Sequence, residues 1–196
     1  MSSLKLTSAE TAPLAPPWSV AEWMNSAEPL ALSGLRGRVV VLHAFQMLCP
    51  GCVAHGIPQA QRIQALFAPE DVCVVGLHTV FEHHDAMGPV SLAAFLHEYR
   101  VTFPVGVDEA GVGSPIPKTM AAYQMRGTPT LVLIDRSGRL RLHAFGRPDD
   151  MSVGAAISSL VGEGPGVRDS DPKSHLLERE GDPMTSGCDA KGCAIP

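Results

Sequence analysis

The chain has 196 residues, 45% of them apolar and only 5% aromatic, enough for one domain with a largely aliphatic core. Its formal net charge of −5, with no basic patch interleaved with aromatics, excludes nucleic acid as the expected partner. No stretch approaches the roughly 20 apolar residues that span a bilayer, and residues 1–30 carry no apolar run of signal-peptide length. The expectation is therefore no membrane partner and a cytoplasmic location.

Residues 1–17, interrupted by Pro13, Pro16 and Pro17, read as a flexible leader. Residues 18–35 carry scattered apolar positions and predict a short extended segment on the domain edge. The run RVVVLHAF at 38–45 predicts a strand buried on both faces. Cys49-Pro50-Gly51-Cys52 then opens a helix reaching about Phe67, and Pro58 inside it predicts a kink. A second buried strand follows at 72–80. Leu92, Phe95, Leu96 and Tyr99 have the spacing of a helix over 90–100. A short strand at 103–107 and a helical turn at 118–123 come next. Strands at 130–135 and 140–145, joined through Ser137-Gly138, form a hairpin, and a helix at 151–161 closes the domain with Asp149 or Asp150 as its cap. Helices alternating with buried strands predict an α/β domain over 18–162, its partly parallel central sheet covered on both faces. From 163 to 196 glycine, proline and charge dominate, which predicts a mobile tail.

The five cysteines fall as two close pairs, Cys49/Cys52 and Cys188/Cys193, and the singleton Cys73. In a reducing compartment a close pair is catalytic or metal-binding rather than a structural staple. Thiol–disulfide exchange needs a thiolate that attacks and a second thiol near enough to release the mixed disulfide. A Cys-x-x-Cys at a helix start supplies both. The first sulfur lies where unpaired N–H groups and the helix dipole favour negative charge, and the second lies one turn in. Pro50 suits the first helical position. The competing reading is half of a zinc site completed by Cys188 and Cys193, and His78, His83 and His84 form a further run able to bind metal. Strand, then Cys-x-x-Cys, then helix is the redox context, so no metal and no cofactor beyond the Cys49–Cys52 disulfide is expected. Cys73 reads as an apolar core residue. The tail pair, on an arm of about 30 residues, could relay electrons to the site at high effective concentration.

Several segments in order resemble the thioredoxin superfamily, and within it the redoxin and TlpA-like branch. They are Gly37 to Leu42 before the Cys-x-x-Cys; Phe103-Pro104-Val105 with Asp108; Tyr123-Gln124-Met125-Arg126-Gly127-Thr128-Pro129-Thr130; and Leu133-Ile134-Asp135 with Ser137-Gly138. The resemblance covers about 30–162 and implies a thioredoxin fold, with a mixed sheet flanked by helices on both faces. It implies a cis bond before Pro129 opposite the Cys-x-x-Cys, with the backbone of Thr128 offered to an extended substrate beside Pro50 and Gly51. It also places His43 where relatives often carry a buried acid beneath the second cysteine, so His43 is a candidate to take the proton of Cys52. The sequence departs from the pattern at several points. Leu48 replaces the usual tryptophan, Pro58 follows Cys49 by nine positions rather than eight, and His55 and Gly56 are unusual for that helix, which predicts a displaced kink.

The implied function is thiol–disulfide oxidoreduction, with Cys49 attacking a protein or small-molecule disulfide, Cys52 resolving it and a thiol reductant restoring the pair. A peroxiredoxin-like peroxidase is the nearest alternative, but its Pro-x-x-x-Thr-x-x-Cys pattern is broken by Leu42 and Gln46. A non-enzymatic metal carrier using the tail cysteines is the third.

Overall fold

The computed structural model describes residues 4–164. The expected tail with Cys188 and Cys193 lies outside the described residues from 165 onward. The strands are β1 (Val20–Met24), β2 (Val39–Phe45), β3 (Val72–His78), β4 (Val105–Asp108), β5 (Thr130–Ile134) and β6 (Leu140–Phe145). They form one sheet in the order β1-β4-β3-β2-β5-β6. β2, β3 and β4 run parallel, whereas β1, β5 and β6 add antiparallel to their neighbours. The helices are α1 (Ile57–Leu66), α2 (Pro89–Glu98), α3 (Lys118–Ala122) and α4 (Asp150–Gly162). This is the mixed sheet expected of a thioredoxin fold.

All seven residues of β2 are buried, which explains its unbroken apolar reading: both faces are covered. Alternation sorts its side chains. Val39, Val41 and Phe45 meet Cys52, Ile57, Ala60 and Ile63 together with Leu92, Leu96, Val153, Ile157 and Leu160. Val40, Leu42 and Ala44 meet Leu32, Leu35, Met120, Tyr123 and Met125. His43, in phase with Val41 and Phe45, therefore faces α1. The N-terminus of α4 is capped by Asp149, whose carboxylate accepts from the N–H groups of Met151 and Ser152.

The leader expected to be flexible is instead laid on the outer edge of β6. Thr7 N–H donates to Arg141 O at 2.8 Å, Leu140 N–H to Pro13 O at 2.9 Å and Ala15 N–H to Gly138 O at 2.9 Å. The Arg139 and Arg141 guanidinium groups donate to Ala12 O and Thr7 O. A sheet edge exposes unpaired donors and acceptors, and this segment covers them.

Pro58 marks a second difference. The helix begins at Pro50, but Cys52–Gly56 is wound as a π-helix, with Ile57 N–H donating to Cys52 O five residues back. Pro58 then sits in the first turn of α1. One extra residue between Cys49 and Pro58 is absorbed as a widened turn. The proline falls where a missing N–H costs little. Among the described residues no helix is long and apolar enough to cross a membrane.

Candidate active site

The site lies where β2 ends and the helix begins. Cys49 is half-buried and Cys52 fully buried, both as free thiols. Cys52 N–H donates to Cys49 Sγ at 3.3 Å, so an amide of the first helical turn points at the outer sulfur. Cys49 Sγ in turn donates to Thr128 O at 3.5 Å. The Thr128–Pro129 bond is cis. Pro129 is buried against Gly51, where an added methyl carbon would lie 3.3 Å from Pro129 Cδ. Gly146 N–H donates to Pro129 O at 2.8 Å and ties this loop to the end of β6. Cys49, Pro50, Gly51, Cys52, Thr128 and Pro129, drawn from two distant segments, thus form one site, with Pro50 and the half-exposed Leu48 on its rim.

Burial pushes the Cys52 thiol up to about 12, the neighbouring Cys49 adds to this, and the Gln46 backbone and the Thr128 side chain pull it back down. Buried sulfur without such donors would resist ionisation further.

His43 is buried, as expected. Its ring packs under the π-turn: a methyl carbon at Gly56 would come 2.3 Å from His43 Nε2. Nδ1 is buried with no hydrogen-bond partner. Burial lowers its pKa to about 4, its own backbone acting weakly the other way. A ring that gives up its proton near 4 is a poor acceptor for a thiol held near 12, so direct proton transfer from Cys52 is opposed by the solvation of both groups. His78 is a second neutral, buried ring on the same face, lowered to about 4 by burial, with Phe45 5.3 Å away. His83 and His84 are exposed while His78 points into the core. Among the described residues no group of three or more His, Cys, Asp or Glu side chains is placed to hold a metal. Cys73 lies on the opposite face of β3, half-buried, its thiol raised by burial.

The departure at Gly56, unusual for this helix in sequence, is where the π-turn packs on His43. The part played by Gln46 was not legible in the sequence: it is 1% exposed, and its carbonyl accepts from Cys49 N–H at 3.2 Å.

The model of the AhpC/TSA family matches residues 14–143. The chain belongs to the AhpC/TSA family. The crystal structure of a thioredoxin-like superfamily protein superposes with a TM-score of 0.75 at 59% identity, covering 76% of this chain and 97% of that one. A thiol-disulfide isomerase from Corynebacterium glutamicum superposes with a TM-score of 0.75 at 49% identity, covering 79% of this chain and 99% of that one. Protein DipZ of Mycobacterium bovis is 26% identical over 155 residues, 78% of this chain. The chain spans only 21% of the length of DipZ. This AhpC/TSA member has a thioredoxin fold and a general thiol redox role.

Proposed function

We propose that the chain exchanges its Cys49–Cys52 dithiol with disulfides of protein or small-molecule substrates. The observation that carries this reading is the pairing of a half-exposed sulfur, Cys49, receiving a helix N–H at 3.3 Å, with a buried thiol one turn behind it. Cys49 attacks one sulfur of the substrate disulfide and releases the other as a thiol. Cys52 then attacks Cys49, forming the Cys49–Cys52 bond and breaking the mixed disulfide. Its proton leaves with the second substrate thiol, so two electrons pass from the dithiol to the substrate. Thr128 and Pro129 offer backbone to an extended substrate strand, as added strands are held elsewhere. His43 receives no proton in this scheme. It is a neutral packing ring beneath the helix.

In a reducing cytoplasm, the placement expected from sequence, the pair runs as a disulfide reductase, with a thiol reductant restoring it and no cofactor beyond the disulfide. The test is a trap. Cys52→Ser should accumulate a covalent partner on Cys49 that thiol reductants release, and Cys49→Ser/Cys52→Ser should accumulate none. No trapped partner, together with no reduction of insulin disulfides by the parent protein, would reject the reading. Hydrogen peroxide consumption that saturates and survives loss of Cys52 would replace it with a peroxidase.

A further inference from the structure

Gln46 is a long amide in a place where an apolar side chain would be cheaper to bury. At 1% exposure it has to find partners for both ends of its side chain. Its Oε1 accepts from Phe81 N–H at 3.2 Å, and its Nε2 donates to Glu82 Oε1 at 3.3 Å. The last backbone rung between these strand ends is Thr79 N–H to Phe45 O at 3.0 Å. The Gln46 side chain therefore adds a rung beyond the end of the ladder, joining the redox loop to the loop after β3. The main chain of the same residue holds the first cysteine. Its carbonyl accepts from Cys49 N–H at 3.2 Å, and Cys52 N–H in turn donates to Cys49 Sγ at 3.3 Å.

We propose that Gln46 is a positioning residue for the resolving step: by gripping Phe81 and Glu82 it fixes the carbonyl that holds Cys49 N–H, and so the place of the Cys49 sulfur that Cys52 must attack. The proposal rests on the exchange reading above and deepens it. In the step concerned, the Cys52 sulfur bonds to Cys49, the bond from Cys49 to the substrate sulfur breaks, and the proton of Cys52 ends on the departing thiol. This step is intramolecular, so its rate depends on how firmly the Cys49 sulfur is placed relative to Cys52. The attack by Cys49 on a fresh disulfide makes no such demand of Cys52.

The two steps separate with 5,5′-dithiobis(2-nitrobenzoate) as the probe, because the attack by Cys49 releases one coloured thiolate and resolution by Cys52 releases a second. The full chain carries Ser at Cys73, Cys188 and Cys193 so that only the two site thiols report. Gln46→Met keeps the volume and removes both hydrogen bonds. It should slow the second release about tenfold and the first less than twofold. Glu82→Ala, at an exposed position, should slow the second release about threefold without threatening the fold. Second-phase rates equal to the parent's in both variants would overturn the role of Gln46 while leaving the exchange reading intact. A parent that releases no second thiolate would overturn both.

Discussion

The two ends of the sheet handle buried polar groups in opposite ways. At the far end Arg141, its side chain 4% exposed, has a partner for each nitrogen. Nε donates to Thr7 O at 2.6 Å, Nη1 to Asp135 Oδ2 at 3.1 Å and Nη2 to Glu163 Oε1 at 2.8 Å. That one side chain ties together the N-terminal segment, the β5–β6 turn and the end of α4. At the redox end His43 Nδ1 and His78 Nε2 are buried without partners, and the Cys52 thiol sits in the same apolar layer. At one end Arg141 closes a polar network, though Arg136 Nε beside it is buried without a partner. The other keeps neutral, titratable groups dry beside a reactive sulfur. Stability and chemistry are thus assigned to different ends of one core.

The largest expected effect breaks the closed end. Arg141→Ala leaves Asp135 buried without its cation and should cost about 3–5 kcal/mol. Urea unfolding measures the loss, while the two-phase thiolate release should be unaltered in the folded fraction. A change in either phase would mean that the ends are coupled. Acid attacks the other end. The folded values of His43 and His78 lie below the unfolded value of 6.5, so unfolded rings bind protons that the folded rings refuse. Stability is full above about pH 6.5 and falls as the pH drops toward 4, by on the order of 3 kcal/mol per ring. His78→Phe should flatten that slope in denaturation curves collected from pH 7 to 4.

A smaller effect tests the packing of the π-turn. Gly56→Ala forces a methyl into the His43 ring and should cost about 1–3 kcal/mol. Gly56→Ala/His43→Ala should recover most of it, which thermal unfolding of the four combinations measures. The smallest effect is at the cap. Asp149→Ala should remove about 1 kcal/mol by loosening the first turn of α4, with both release phases unchanged.

The segments legible in sequence were those whose constraint is local. A buried strand shows as a branched apolar run, as at 39–45. The Cys-x-x-Cys and the Thr128-Pro129 segment are short motifs whose geometry depends on few neighbours. The leader was misread because its partners are remote: Thr7 and Ala12 are bound by Arg141 and Arg139, more than 120 residues later. Glycine, proline and polar residues look alike in a loose arm and in a strap along an edge. The place of His43 in the core was legible because its register on β2 can be counted, whereas its solvation cannot. The site's third partner was hidden for a similar reason. Gln46 is one amide among many until the loop at Phe81 and Glu82 comes to meet it.

The sequence by itself determined the alternation of strands and helices and the dithiol at a helix start, because each follows from periodicity or from spacing within a single turn; the proline loop that faces the dithiol was implied by the family resemblance. Only the tertiary structure decided that His43 sits neutral under Gly56 and that Gln46 bridges two loops. Burial and long-range hydrogen bonding set the energies of those groups, and both depend on chain segments that meet only when the sheet is assembled.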